Sequence, residues 1–249
     1  MCDLALRIGG IFFGLKNMKE RILVVGAHFD DIAFAMAGTV AKFVKKGEVV
    51  DEAIMTDSNG QGISKTRLKE EREAMRLLGI TKLYNIGIKN GYKDGELRNS
   101  IFEPMAQALI AIINIASKKG FPYTKIITFG DDGYTGHLDH KAVASVSRRA
   151  FEKSSSISEL WQVGMSKLER DKWNRDYEAE GGYFVPIPLI DISDYKRMNI
   201  STTYSLKQRS ILAHRSQLAN GGELHSMRIS ELPKFEYFKI IRKNVYTRK

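Results

Sequence analysis

Short apolar runs alternate with longer amphipathic segments over residues 20–152 of the chain. The first run, Ile22 to Val25, is rich in β-branched residues and is typical of a strand that is buried on both faces. The predicted strands cover residues 22–25, 49–56, 83–88 and 125–129. The predicted helices cover residues 33–46, 64–79, 101–118 and 139–152. In the second of these helices, Ser64 is the predicted N-cap, Leu68, Met75 and Leu78 form the predicted apolar face, and Gly79 ends the helix.

This alternation predicts an α/β fold in which right-handed crossovers build a Rossmann-like, mostly parallel sheet with helices on both faces. Beyond residue 154 the pattern weakens, and it predicts a strand over 184–192, a polar helix over 205–217 and an edge strand after Phe235. Because Met18 opens a well-patterned segment, we expect residues 1–17 to be an N-terminal extension. We expect residues 18–249 to form one domain, with about 155–249 completing the pocket.

Two clusters of ionisable residues follow predicted strands. His28, Asp30 and Asp31 come directly after the first strand, and the segment 136–140, which reads GHLDH, follows the fourth. In an open α/β sheet, ligands bind beyond the carboxyl ends of the strands, where both clusters are expected. One such cluster is explained equally well by turn residues and helix N-caps. Two of them supply two imidazoles and a carboxylate, the ligand set of a catalytic zinc with an open position, plus a second carboxylate that can act as a base.

These motifs resemble those of the zinc-dependent de-N-acetylases of the PIG-L or LmbE-like family. The family motifs are usually written A-H-P-D-D-E and H-x-D-H, and this chain has AHFDD at 27–31 and HLDH at 137–140. Arg67-x-x-Glu70 and the segment 207–217 match as well, so the resemblance spans about residues 20–217. It implies an LmbE-like fold and a hydrolase that removes an N-acetyl group from an amino sugar or a GlcNAc-containing conjugate.

The resemblance also implies a role for each motif residue. His28, Asp31 and His140 would bind one Zn²⁺ per chain, and Fe²⁺ suits the same ligands. Asp30 would be the general base, and His137 would be the acid or electrophile, with Asp139 orienting or tuning it. Four further residues are expected to line the substrate pocket: Arg67, Tyr134, His214 and Gln217. Tyr134 is in the loop just before His137, so it is also expected to reach the oxyanion.

Three of these pocket residues have a simpler interpretation. Arg67 is equally consistent with a surface arginine that pairs with Glu70 or Glu71. His214 and Gln217 are also consistent with a helix that faces solvent.

Two residues depart from the family motif. Phe29 replaces the usual proline, and Ile32 replaces the usual glutamate. Neither position is expected to hold the metal, so the core mechanism is retained. The glutamate belongs to the surroundings of the ligands, which tune a metal, so its loss bears on rate and metal affinity.

The net charge of +10 comes from dispersed Lys and Arg residues, which usually form a solvated surface. Such a field also attracts an anionic substrate, nucleic acid or acidic lipid. Cys2 is the only cysteine, which excludes an intramolecular disulfide and fits a reducing compartment. The apolar segment 8–15 is too short to span a bilayer, and we expect a cytoplasmic protein without a transmembrane segment. Oligomerisation is left open.

Two other functions remain to be weighed against a deacetylase. Two histidines and one carboxylate also describe the facial triad of non-haem iron enzymes. Against it, an adjoining base such as Asp30 suits hydrolysis. The second alternative is a basic α/β binding module with an inactive site. The first turn lacks G-x-G-x-x-G and no RNA-binding signature is present, so we expect a small amino-sugar conjugate rather than nucleic acid as the partner.

Overall fold

One seven-stranded sheet organises the fold. The computed structural model of the chain describes residues 7–8, 11–12, 19–60, 62–97, 101–178, 190–219 and 228–243. Two antiparallel strands of two residues each, β1 (Arg7–Ile8) and β2 (Ile11–Phe12), precede the sheet in the chain. The strands of the sheet are β3 (Arg21–Gly26), β4 (Val49–Ile54), β5 (Lys82–Asn85), β6 (Lys125–Phe129), β7 (Glu159–Gly164), β8 (Lys196–Asn199) and β9 (Phe235–Arg242).

The strand order β5-β4-β3-β6-β7-β9-β8 confirms the mostly parallel α/β sheet. The strands from β5 to β7 in this order pair in parallel, and β9 pairs antiparallel with both β7 and β8. Ile22, Leu23, Val24 and Val25 of β3 have no exposed surface, as a strand covered on both faces requires. After β3 the chain first adds β4 and β5 on one side of this strand, and β6 then pairs with its other side. Because the strand order reverses at β3, a crevice is expected between the carboxyl ends of β3 and β6.

Nine helices connect and flank the strands of the described segments. They are α1 (Asp31–Ala35), α2 (Ala37–Lys45), α3 (Ser64–Leu78), α4 (Ile86–Asn90), α5 (Phe102–Lys118), α6 (Leu138–Lys153), α7 (Lys167–Glu178), α8 (Tyr204–Ala213) and α9 (Arg215–Leu218).

The helix predicted after β3 is two helices, because the backbone breaks at Met36, where φ is −141°. The N-cap predicted for α3 is wrong. Ile63 occupies that position, and Ser64 Oγ instead donates to the carbonyl of Asp57 at 2.5 Å. The predicted apolar face of α3 is only partly right, since Met75 and Leu78 are buried but Leu68 is half-buried.

The structure also differs from the predicted pattern at other elements. The third strand ends at Asn85, and the rest of the predicted strand is α4. The sequence pattern missed β7 and α7, and β9 lies inside the sheet between β7 and β8 rather than at its edge. The predicted helix 205–217 is divided at His214 into α8 and α9. The strand predicted over 184–192 lies largely outside the described residues.

Candidate active site

The two predicted clusters lie side by side because β3 and β6 are parallel neighbours. The chain turns out of β3 at 27–30 into α1, and it turns out of β6 at 130–137 into α6. His28, Asp31 and His140 are all buried, with 4%, 6% and 8% of their surfaces exposed. These positions are where a parallel sheet is expected to bind ligands.

His28, Asp31 and His140 bring three ligand atoms together. His140 Nε2 lies 3.3 Å from His28 Nδ1 and 3.2 Å from Asp31 Oδ1. His28 Nδ1 lies 3.7 Å from Asp31 Oδ2. All three residues offer atoms within 4.8 Å of one another, so they form a group that could hold a metal ion.

The surroundings of the three residues fit a metal. His28 Nε2 lies 3.1 Å from Asp139 Oδ2, and His140 Nδ1 lies 3.0 Å from the carbonyl of Gly133. Partners of this kind fix the tautomer of a ligating histidine and direct its other nitrogen to the metal. Asp31 Oδ2 accepts the backbone N–H groups of Ala27 and His28, both at 2.7 Å. Each of the three candidate ligand side chains is thus oriented by a hydrogen-bond partner. Two imidazoles with one carboxylate suit Zn²⁺ or Fe²⁺.

The charges in this cluster depend on one another. Burial opposes ionisation of Asp31, but the charges of His140 and His28 outweigh burial and hold the pKa of Asp31 well below its ordinary value. Burial likewise opposes protonation of His28, but hydrogen bonds to Asp139, Asp31 and Asp94 raise its pKa well above the ordinary value. A metal bound at His28 Nδ1 would require that nitrogen to be unprotonated.

Asp30 sits next to the cluster in an unusual conformation, with φ 104° and ψ −27°. For a residue other than glycine this costs about 1–3 kcal/mol. Arg67 Nη2 lies 3.4 Å from Asp30 Oδ2 and donates to the carbonyl of Phe29 at 2.9 Å. The backbone N–H of Asp30 donates to Glu71 Oε2 at 2.9 Å.

His137 is the N-cap of α6, and its Nδ1 accepts the backbone N–H of Asp139 at 3.1 Å. Because an N–H can only donate, Nδ1 is unprotonated there and Nε2 carries the proton of the neutral ring. Burial and the positive charges of His28 and His140 lower the pKa of His137. The Asp139 carboxylate contacts His28 rather than hydrogen-bonding the His137 ring, so the expected orienting contact to His137 comes from the backbone of Asp139.

All four expected pocket residues are buried, with 2% exposure or less: Arg67, Tyr134, His214 and Gln217. Arg67 is therefore not a surface residue, and it contacts Asp30 and Asp94. The solvent-facing interpretation of His214 and Gln217 is also wrong. His214 Nε2 lies 3.6 Å from Glu71 Oε2.

Tyr134 makes a contact other than the one expected with the oxyanion. Its hydroxyl donates to Glu169 Oε1 at 2.9 Å, and its φ of 62° lies in the left-handed region.

Sequence reasoning missed two acidic residues at the site. Asp94 Oδ1 lies 3.1 Å from His28 Nε2, and the pKa of Asp94 is lowered to about 2, because the contact with His28 outweighs burial. Its position in the loop after the third predicted strand, at the same sheet edge, could have indicated it. Glu71 was considered only as a surface partner of Arg67, and nothing in the local pattern signals its contact with Asp30.

The fold and the buried His-Asp cluster together define an α/β protein with a candidate metal site at the carboxyl ends of its parallel strands. The PIG-L family, described as GlcNAc-PI de-N-acetylase, matches residues 23–151. The chain belongs to this family, and the predicted deacetylase class is confirmed at the level of the family.

Named relatives agree with this assignment. A 1D-myo-inositol 2-acetamido-2-deoxy-alpha-D-glucopyranoside deacetylase from Thermobifida fusca is 24% identical over 270 positions, covering 89% of this chain and 93% of the relative. The N,N'-diacetylchitobiose deacetylase from Pyrococcus horikoshii has a TM-score of 0.57 at 19% identity, covering 90% of this chain and 84% of its own. A triple mutant of a deacetylase of the teicoplanin biosynthetic pathway has a TM-score of 0.62 at 16% identity, covering 90% and 99%. Such structural likeness supports the fold alone.

In the described segments, no helix is long and apolar enough to cross a membrane.

Proposed function

We propose that this protein hydrolyses the N-acetyl amide of an amino sugar or a GlcNAc-containing conjugate, using one Zn²⁺ per chain. The observation that carries the proposal is the convergence of His28 Nδ1, His140 Nε2 and Asp31 Oδ1, with Asp30 next to them in the chain. Zn²⁺ bound there would supply an acidified water molecule and polarise the amide carbonyl.

The protein's own residues divide the remaining work. His28, Asp31 and His140 would hold the metal. Asp30 takes a proton from the attacking water as general base, and Arg67 Nη2 lies 3.4 Å from Asp30 Oδ2. His137 donates a hydrogen bond from Nε2 to the oxygen of the scissile carbonyl as negative charge develops there. Because its Nδ1 already accepts an N–H, His137 can do this as a neutral ring.

Asp139 acts mainly on His28 in this proposal. Its carboxylate also accepts the N–H groups of Gly95 and Leu97, at 2.7 and 3.1 Å, so it ties the ligand histidine to the loop that follows α4. Arg67, His214, Gln217 and Tyr134 are too buried to serve as the main substrate contacts, and Arg67 acts through Asp30 instead.

The substrate is a small amino-sugar conjugate. If the substrate carries an anionic group, that group would bind outside the His-Asp cluster. Four carboxylates surround the described site, those of Asp30, Asp31, Asp94 and Asp139, and Arg67 already contacts two of them. We further propose that the C-terminal part of the chain belongs to the same domain as residues 18–154, since β7, β8 and β9 continue one sheet.

The test measures bound metal and acetate release on wild type and on Asp30→Ala. The amide substrates are N-acetylglucosaminyl-inositol and N,N'-diacetylchitobiose. We expect about one Zn²⁺ in both proteins and a loss of hydrolysis of about 10²–10⁴-fold in the variant, the usual contribution of a positioned base. Asp131→Ala is the matched control, because Asp131 pairs with Arg148 in an exposed position.

Absence of a bound metal from both proteins would refute the zinc-hydrolase proposal. Iron in place of zinc, together with oxygen-dependent turnover, would favour the facial-triad alternative.

A further inference from the structure

The backbone of Asp30 is held in a conformation that a residue with a side chain rarely adopts. Among the described residues only Asp30, Ser58 and Tyr134 combine a positive φ with a side chain. Such a conformation persists only where the surroundings impose it. The contacts that impose it on Asp30 therefore determine where its carboxylate points.

The peptide group between Phe29 and Asp30 is held at both of its polar atoms. The N–H of Asp30 donates to Glu71 Oε2, and the carbonyl of Phe29 accepts from Arg67 Nη2, each at 2.9 Å. Arg67 and Glu71 are one turn apart on the buried face of α3, so one helix holds both ends of the peptide. The N–H of Phe29 donates to Ser58 Oγ at 2.8 Å.

A second buried carboxyl group lies near Glu71. Glu52 of β4 is fully buried and Glu71 is 2% exposed. Burial and the neighbouring charge of Glu71 raise the pKa of Glu52 well above its ordinary value. On another side, His214 Nε2 lies 3.6 Å from Glu71 Oε2.

A buried carboxyl pair of this kind is poorly explained by stability. Replacing buried ionised groups with packed apolar side chains is often neutral or stabilising. What an apolar pair could not do is accept the N–H of Asp30. The distinctive contribution of Glu71 is therefore the acceptor that it offers to this strained peptide.

We propose that Glu71 is a positioning residue for the catalytic base, because it fixes the peptide that precedes Asp30. The proposal rests on the proposed role of Asp30. The general reason for expecting a kinetic effect is that a displacement of about 1 Å in a reacting group can cost about 10²-fold in rate.

The experiment compares Glu71→Leu with Glu71→Gln. Glutamine keeps an oxygen for the Asp30 N–H, whereas leucine does not. We expect kcat for acetate release to fall about 10–100-fold in Glu71→Leu, with KM and Zn²⁺ affinity nearly unchanged, and to be largely retained in Glu71→Gln. Hydrogen exchange at the Asp30 amide should be fast in Glu71→Leu and protected in Glu71→Gln.

The double variant Glu52→Leu/Glu71→Leu separates positioning from stability. It removes both carboxyl groups, so neither is left buried without its partner, and it should fold where Glu71→Leu alone is destabilised. If Glu71 only stabilised the fold, kcat would recover together with the melting temperature. We expect the melting temperature to recover while kcat stays low and the Asp30 amide still exchanges fast.

Two results would overturn the proposal: wild-type kcat in the folded double variant, or an Asp30 amide equally protected in all variants. A wild-type protein that cleaves neither amide substrate would instead count against the proposed function. The exchange measurement would then still decide whether Glu71 holds the Asp30 peptide, because it needs no substrate.

Discussion

His28 and Asp139 are 111 positions apart in the chain, and their side chains meet at the edge of the sheet, where His28 Nε2 lies 3.1 Å from Asp139 Oδ2. Asp139 also accepts backbone N–H groups from Gly95 and Leu97. One buried carboxylate thus joins the loop after β3, the start of α6 and the loop after α4.

The first prediction follows from this contact. Asp139→Ala removes the group that fixes the ring of His28, and such contacts are typically worth about 10–100-fold in metal affinity. We therefore expect the Zn²⁺ affinity, measured by competition with a chelator, to fall by about that factor. Asp131→Ala, at an exposed aspartate of the neighbouring loop, should leave it unchanged. Unchanged affinity with reduced kcat in Asp139→Ala would show that Asp139 acts through His137, as the family resemblance implies.

Tyr134 provides the second prediction. Its hydroxyl contacts half-buried Glu169, which lies near Lys207, and desolvation raises the pKa of Glu169. Tyr134→Phe leaves that carboxyl without its donor, so we expect a loss of about 1–3 kcal/mol in the free energy of unfolding by urea. We expect kcat to change less than tenfold, because removing a donor that contacts the oxyanion costs about 10²–10³.

Glu169→Gln is the matched control for Tyr134→Phe, since glutamine keeps an acceptor for the tyrosine hydroxyl. Its stability should lie close to that of the wild type. If kcat of Tyr134→Phe falls strongly at unchanged stability, Tyr134 contacts the oxyanion after all.

The strands that carry the site were predictable because they are buried on both faces. The pattern at 22–25 and 125–129 locates β3 and β6 to within a residue. Once these two strands are parallel neighbours, the meeting of His28 with His140 follows from topology. The sequence pattern does not predict the burial of a polar residue whose hydrogen-bond partner is distant in the sequence. Glu70 of α3 looks exposed, yet it is buried because the N–H and hydroxyl of Ser216, 146 positions away, donate to it.

β7 shows a different limit of the sequence pattern. Gln162 interrupts its apolar run, yet this residue is 1% exposed. Its Nε2 donates to the carbonyl of Phe129, at the end of β6, and to Asp131 Oδ1. A buried glutamine of this kind cannot be recognised without its partners. The positions of β8 and β9 depend on antiparallel pairing late in the chain, which no local period encodes.

The third prediction concerns pH. Burial and the charge of Arg67 lower the pKa of His214 to about 3, whereas an unfolded histidine titrates near 6.5. Between these values the unfolded chain binds more protons than the folded one, so His214 makes the free energy of unfolding fall as pH is lowered from about 6.5 towards 3. The slope from one group is at most about 1.4 kcal/mol per pH unit.

Urea unfolding of wild type and His214→Gln, with a chelator present to remove metal linkage, checks this. The glutamine variant lacks the titrating group, so the stability difference should shift steadily in its favour as pH falls. Parallel curves for the two proteins over this range would contradict the buried, neutral state of His214.

The fourth prediction concerns Gly87, which lies where α4 packs against the end of β4. A Cβ at this position would lie 2.0 Å from the carbonyl carbon of Thr56, and backbone cannot yield as a flexible side chain does. Thr56 is itself anchored to β3, because its N–H and Oγ1 both donate to the carbonyl of Ala27. Gly87→Ala should therefore push α4 away and reduce the free energy of unfolding by about 1–3 kcal/mol.

Gly91→Asn is the matched control, because Gly91 ends the same helix with φ +71°, has no atom within 4 Å of a built Cβ, and asparagine tolerates this conformation. We expect it to unfold at nearly the wild-type urea concentration. Since α4 leads into the loop that presents Asp94 to His28, Gly87→Ala should also weaken Zn²⁺ binding, and Gly91→Asn should do so less. Wild-type stability in Gly87→Ala would mean that α4 does not approach Thr56 this closely.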